Sequence, residues 1–116
     1  MSNLKENHMS SLFVYGTLGP GRPNAHILEN IGGQWSEGWV NGTLRHEGWG
    51  ADLGYPGIVL YDSANQVQGF VFSSEHLDAN WKLLDNFEGE EYERVPVRVT
   101  LNSGEHVDSF IYMLKP

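Results

Sequence analysis

Val95, Val97, Val99 and Leu101 alternate with Pro96, Arg98 and Thr100, the two-residue period of a strand with one buried face. Asn102-Ser103-Gly104 then supplies turn residues, and the apolar-rich stretch Val107 to Met113 follows. A turn this short forces its flanking strands to run antiparallel, so a hairpin here constrains the fold more than any other local signal. Pro96 has no N–H to give a ladder and predicts an edge or a bulge.

The other segments read in the same way. Leu12-Phe13-Val14-Tyr15 predicts a buried strand that breaks at Gly16 and feeds the loop Thr17-Leu18-Gly19-Pro20-Gly21. Ile58-Val59-Leu60-Tyr61 and Val67 to Phe72 flank Asp62-Ser63-Ala64-Asn65 and predict a second hairpin. Between Gln34 and Trp49 a β-prone run holding Trp35, Trp39, Val40, Thr43 and Leu44 is interrupted by Gly38, Gly42 and Gly48, which predicts one bent or bulged strand. Helix signals are fewer. Pro23 to Asn30, ending at Gly32-Gly33, has room for about two turns. Ser74 is placed to cap a longer helix whose Leu77, Trp81 and Leu84 recur at i, i+4 and i+7, with Gly89 available to end it.

About six strands, one short helix and one longer helix, without βαβ alternation, predict an α+β fold: a small, mostly antiparallel β-barrel with flanking helices. At 116 residues there is room for one domain. Residues 1–10 are expected to be a flexible N-terminal tail and residues 11–116 the domain. MSNLKENHMS lacks the apolar core of a signal peptide, and no run approaches the roughly 20 apolar residues that cross a bilayer. A cytoplasmic protein without a membrane partner is expected, and a monomer.

Composition removes several chemistries. Fifteen acids against seven Lys plus Arg give a formal charge of -8, which repels phosphate backbones and argues against a nucleic-acid partner. The absence of cysteine excludes disulfides, a thiolate nucleophile and Cys-ligated zinc. His8, His26, His46, His76 and His106 show no metal-ligand spacing, so no metal is assigned. Trp35, Trp39, Trp49 and Trp81 lack the basic companions of a stacking platform and are expected to pack in the core. There is no GxSxG elbow or phosphate-binding glycine motif.

Two segments remain as candidate sites. At Tyr15-Gly16-Thr17-Leu18 a strand ends on a glycine that lets the backbone approach a ligand and turn its N–H groups outward, a cradle for a carboxylate. The competing reading is a plain turn in which Gly16 satisfies a dihedral requirement. In Leu84-Asp85-Asn86-Phe87-Glu88-Gly89-Glu90-Glu91-Tyr92-Glu93-Arg94, five acids crowd the passage from helix to strand, and most read as solvated surface charges. Glu88, between Phe87 and Gly89, is positioned to turn inward, where burial and neighbouring negative charge would lift its pKa above the roughly 4.3 of a free Glu. A carboxylate so tuned can take a proton and return it. A helix-end Glu of purely structural use is the alternative.

Taken in order, Val14-Tyr15-Gly16-Thr17-Leu18, Tyr55-Pro56-Gly57-Ile58-Val59 and Leu84-Asp85-x-x-Glu88-Gly89-x-x-Tyr92-x-Arg94 resemble the signature segments of γ-glutamylcyclotransferase-like (AIG2-like) proteins, over roughly Leu12 to Met113. The resemblance implies a compact barrel in which the YGTL loop and Glu88 share a cavity. It implies release of 5-oxoproline from a γ-glutamyl amine or peptide without a cofactor. Glu88 would be the catalytic proton carrier. Tyr15, Gly16, Thr17, Leu18 and Tyr92 would bind or enclose the substrate, the loop N–H groups holding either its α-carboxylate or the developing oxyanion. The role of Arg94 stays open, a structural one in which it pairs with nearby acids being favoured over one in the chemistry. The leaving amine is not readable, its recognition being assigned to residues 47–57. The alternative function is a non-catalytic binding protein for a small amino-acid-like ligand.

Overall fold

The computed structural model of the chain describes residues 9–46, 49, 56–60 and 65–115. Residues 1–8, Tyr55, Tyr61 and Asp62-Ser63-Ala64, and most of the stretch 47–57, lie outside the described residues. Among the described residues, seven strands and two α-helices follow in the order β1 (Ser10–Val14), α1 (Ala25–Ile31), β2 (Gln34–Asn41), β3 (Thr43–Arg45), β4 (Gly57–Val59), β5 (Gln66–Ser74), α2 (Trp81–Glu88), β6 (Tyr92–Leu101) and β7 (His106–Leu114), with a 3-10 turn at Asp78–Asn80 before α2.

Five strands close into a barrel in the order β1-β5-β2-β6-β7. All its pairings are antiparallel except β1 with β7, where Leu12 and Phe13 lie opposite Phe110 and Ile111 in parallel. The hairpin expected around Asn102-Ser103-Gly104 is present from Tyr92↔Leu114 to Thr100↔His106, and Gly104 turns it with a φ of 96°. Pro96 does lie along an edge. β2 reaches β6 only at Gly38↔Leu101 and Trp39↔Thr100, leaving Pro96 paired on the β7 side alone.

The second expected hairpin does not form. Ile58 and Val59 pair with Leu44 and Thr43 in a separate β3–β4 ribbon. β5 is bordered by β2 from Gln66 to Ser73 and by β1 from Phe70 to Ser74, so only Gln66 to Gly69 keeps an edge that neither strand occupies. The stretch from Gln34 to Trp49 is correspondingly two strands in two sheets, parted at Gly42, and not one bent strand. A Cβ at Gly42 would lie within 2.9 Å of the Ile58 side chain, so a glycine is what lets the ribbon fold back there.

The helix expected from Ser74 starts later. Ser74 ends β5 opposite Ser10, donates its hydroxyl to the Gly32 carbonyl at 2.6 Å and accepts from the His76 N–H at 3.0 Å. It therefore ties strand to loop, and Asn80 occupies the N-cap position of α2 without a side-chain cap. Gly89 ends α2 as expected, with a φ of 88° that favours glycine.

Two buried clusters follow from strand alternation. Phe13, Val40, Val67, Val71, Val99 and Ile111 come from every barrel strand and fill the barrel, with Ile58 of the ribbon against them. The opposite faces of β1 and β5, through Leu12, Val14 and Phe72, pack on Leu28 of α1 and on Leu77 and Leu84 of the second helical segment. The spacing that marked Leu77 and Leu84 in the sequence thus puts both on the buried side, while Trp81 is half-buried. Of the four tryptophans expected in the core, Trp35 and Trp81 are half-buried and pack against this second cluster, Trp39 is half-buried outside both clusters, and Trp49 is exposed.

Candidate functional site

One end of the barrel carries a narrow cleft with a cavity volume of about 40 Å³, well below the roughly 300–1,000 Å³ typical of small-molecule sites. β1 delivers Phe13 and Val14, and the loop leaving it delivers Tyr15, Gly16, Thr17 and Leu18. The end of α2 supplies Glu88, and the start of β6 supplies Tyr92. The sequence-predicted residues of both segments therefore line a single cavity. Trp49, Pro56 and Tyr112 complete its wall.

The loop is held by its carbonyls. The oxygen of Gly16 accepts from the Gly19 N–H at 3.1 Å, and that of Thr17 from the Asn24 N–H at 2.8 Å. Among the described residues, none of the loop's backbone hydrogen bonds uses the N–H of Gly16, Thr17 or Leu18. Gly16 has no positive φ, and a Cβ built on it meets nothing within 4 Å. Its conformation does not demand glycine, so the dihedral explanation of that residue fails. What the missing side chain leaves is room in the cleft.

Tyr15 is a structural pivot. Its hydroxyl donates to the Tyr112 carbonyl at 2.8 Å and accepts from the Ile58 N–H at 3.0 Å, joining the loop to β7 and β4. Burial pushes its pKa well above the ordinary tyrosine value, and the negative charge expected on Glu88 adds to that. Tyr15 is therefore a neutral phenol with its hydrogen-bonding capacity committed.

Glu88 is the one acid of its cluster turned inward. Asp85, Glu90, Glu91 and Glu93 are exposed, whereas Glu88 is largely withdrawn from solvent. Burial raises its pKa from 4.5 to about 7. Among the described residues its carboxylate makes no hydrogen bond or ion pair, so it keeps its oxygens for a ligand. Its backbone carbonyl accepts from Trp49 Nε1 at 3.0 Å, and the Trp49 ring meets Phe87 edge-on at 5.3 Å. Burial, with the negative charge of Glu88 adding to it, lifts the Tyr92 hydroxyl to about 12.

Behind the cleft wall, Arg94 holds Asp85 through both oxygens, with Nε to Oδ1 at 2.9 Å and Nη2 to Oδ2 at 3.3 Å. The guanidinium lies 4.4 Å from the centre of the Trp81 ring. The Arg94 hydrogen bonds hold the Asp85 carboxyl below the usual carboxylate range. Among the described residues no group of three or more His, Asp or Glu side chains is arranged to hold a metal ion, and no helix is long and apolar enough to cross a membrane.

Sequence reading did not mark Tyr112 as a cleft residue, and it placed Trp49 and Pro56 only within the stretch 47–57 expected to recognise the leaving amine. Tyr112 carried a usable signal, because it is the cross-strand partner of Arg94 once the β6–β7 hairpin is counted out from its turn.

The family model for "Gamma-glutamyl cyclotransferase, AIG2-like" matches residues 12–116. Among solved structures, the chain is 25% identical to an AIG2-like protein from Mus musculus, covering 91% of this chain and 77% of that one with a TM-score of 0.68. It is 26% identical to YkqA from Bacillus subtilis, covering 93% of this chain and 36% of that one with a TM-score of 0.72. It is 27% identical to a protein from Arabidopsis thaliana, covering 92% of this chain and 62% of that one with a TM-score of 0.71. No curated protein sequence matches the chain significantly.

Proposed function

We propose, for a chain that belongs to the gamma-glutamyl cyclotransferase, AIG2-like family, that it releases 5-oxoproline from a γ-glutamyl amine or peptide, with Glu88 carrying the proton. The observation that bears most of this reading is a partly buried carboxylate, without a hydrogen bond or ion pair among the described residues, whose pKa burial raises to about 7 and which lines the same cleft as Gly16, Thr17 and Leu18.

The reaction asks for little more than that. The substrate's α-nitrogen attacks its own γ-carbonyl carbon, forming the lactam C–N bond, and the bond to the departing amine then breaks. The α-ammonium loses two protons in becoming a lactam N–H, and the departing nitrogen gains two in leaving as an ammonium, so the balance closes without water being consumed. Glu88, ionised, takes a proton from the attacking nitrogen and returns one to the leaving nitrogen, a service commonly worth about 10²–10⁴-fold. Both reacting groups belong to one molecule, and oriented attacks of this kind reach effective molarities of about 10⁵–10⁸ M. The loop amides offer hydrogen bonds to the substrate carboxylate or to the oxyanion formed during attack.

A panel of γ-glutamyl amino acids, amines and isopeptides incubated in heavy-oxygen water tests the reaction class. Intramolecular cyclisation yields unlabelled 5-oxoproline. Labelled glutamate would instead mean hydrolysis, and no product from any member of the panel would count against catalysis.

A further inference from the structure

The groove on the far side of the cleft wall contains Asp85, Arg94 and Lys115, and Tyr112 and Tyr92 line both it and the cleft. Tyr112 donates its hydroxyl proton to Asp85 Oδ1 at 2.6 Å, the short distance of a charge-assisted bond. That same carboxylate is gripped by Arg94 at 2.9 and 3.3 Å, and Arg94 is in turn stacked on Trp81. A tyrosine hydroxyl has one proton to give and lone pairs to receive with. With the proton committed to Asp85, what the oxygen retains is acceptor capacity.

We infer that Asp85 is a positioning residue which makes Tyr112 an acceptor-only hydroxyl, and that Tyr112 docks the α-ammonium of the γ-glutamyl substrate beside Glu88. The inference rests on the cyclotransferase reading above. It sorts the cleft by hydrogen-bond polarity. Tyr112 and Glu88 are acceptors and suit the substrate's one strong donor, whereas the Gly16, Thr17 and Leu18 amides are donors and suit its α-carboxylate or oxyanion. The Tyr15 hydroxyl, bonded to the Tyr112 carbonyl and the Ile58 amide, is already occupied and is not a competing acceptor. Burial of Tyr112, which keeps its phenol neutral far above neutral pH, is consistent with this assignment.

The test uses the full chain as wild type, Tyr112→Phe, Asp85→Asn and the double variant, each checked for folding by its melting temperature. KM and kcat are measured for a γ-glutamyl amine, alongside inhibition by glutaramate, which matches the substrate's acyl half but has no amine. Tyr112→Phe is expected to raise KM about tenfold or more, the scale of a hydrogen bond to a charged group. Glutaramate inhibition should change by less than about twofold, because the lost bond is one that it never makes. Asp85→Asn should raise KM by itself and add little in the Tyr112→Phe background, as expected when two residues act through one contact.

Equal weakening of glutaramate and substrate would overturn the inference by making Tyr112 a general wall residue. Independent, additive effects of the two substitutions would overturn the role of Asp85. If wild type binds γ-glutamyl compounds but forms no 5-oxoproline, the cyclotransferase reading fails, yet unequal loss of γ-glutamyl and glutaramate binding in Tyr112→Phe would still uphold the ammonium contact.

Discussion

Tyr15 gives its hydroxyl proton to the backbone carbonyl of Tyr112 at 2.8 Å, across 97 residues of sequence. The same oxygen receives the Ile58 N–H at 3.0 Å, so a single phenol fastens the cleft loop to a barrel strand and to the small ribbon beside it. Tyr15→Phe leaves a partly buried N–H and a partly buried carbonyl without partners, which costs about 1–3 kcal/mol. Urea denaturation should show that loss, with an unchanged slope.

Gly16→Ala is expected to separate stability from function. A Cβ there meets nothing within 4 Å and φ is not in the left-handed region, so the unfolding free energy should move by no more than about 0.5 kcal/mol. The methyl group would occupy cleft space beside the loop amides, and substrate KM should rise by roughly tenfold, about 1.4 kcal/mol of binding. A stability loss larger than the kinetic effect would return Gly16 to the status of a turn residue.

The pH–rate profile follows from Glu88. The working base is the ionised form, and burial raises its pKa to about 7. As pH falls below that value, kcat/KM for a substrate whose own groups do not titrate there should drop about tenfold per unit. A profile flat down to pH 5 would remove Glu88 from the role of base.

The same shift has a thermodynamic sign. The folded protein holds the Glu88 proton up to about pH 7, whereas an exposed glutamate gives it up around 4.5. Folding is therefore penalised as pH rises between those two values, by up to roughly 3 kcal/mol. Glu88→Gln removes the penalty. Its melting temperature should exceed that of wild type at pH 8, and the gap should close as pH approaches 4.5.

The barrel was legible because its parts were local. The alternation from Val95 to Leu101 and the turn at Asn102-Ser103-Gly104 placed β6 and β7, and the spacing of Leu77 and Leu84 marked the buried side of the second helical segment. What failed was partner choice. Ile58 and Val59 look like the first arm of a hairpin with Val67 to Phe72, but they pair with Leu44 and Thr43, while β1 and β2 border β5 on both sides from Phe70 to Ser73, and edge occupancy is a property of the whole sheet. Ser74 looks like a helix cap, yet the Gly32 carbonyl, 42 residues away in sequence, takes its hydroxyl.

The site was legible to the extent that it is carried by short segments. Tyr15 to Leu18 and Glu88 were marked by a glycine after a strand and an acid at a helix end, and both line the cleft. Tyr112 was not, since nothing within β7 distinguishes it from its neighbours. It becomes visible only through its register with Arg94 and the turn of α2 that brings Asp85 to both.

The most direct test of the account compares 5-oxoproline formation by wild type and Glu88→Gln on one γ-glutamyl substrate, with calorimetric binding of that substrate measured in parallel. The account predicts that kcat falls at least about a hundredfold in Glu88→Gln, while binding changes little because the amide keeps the size and an acceptor oxygen of the carboxylate. Turnover by Glu88→Gln at the wild-type rate would contradict it.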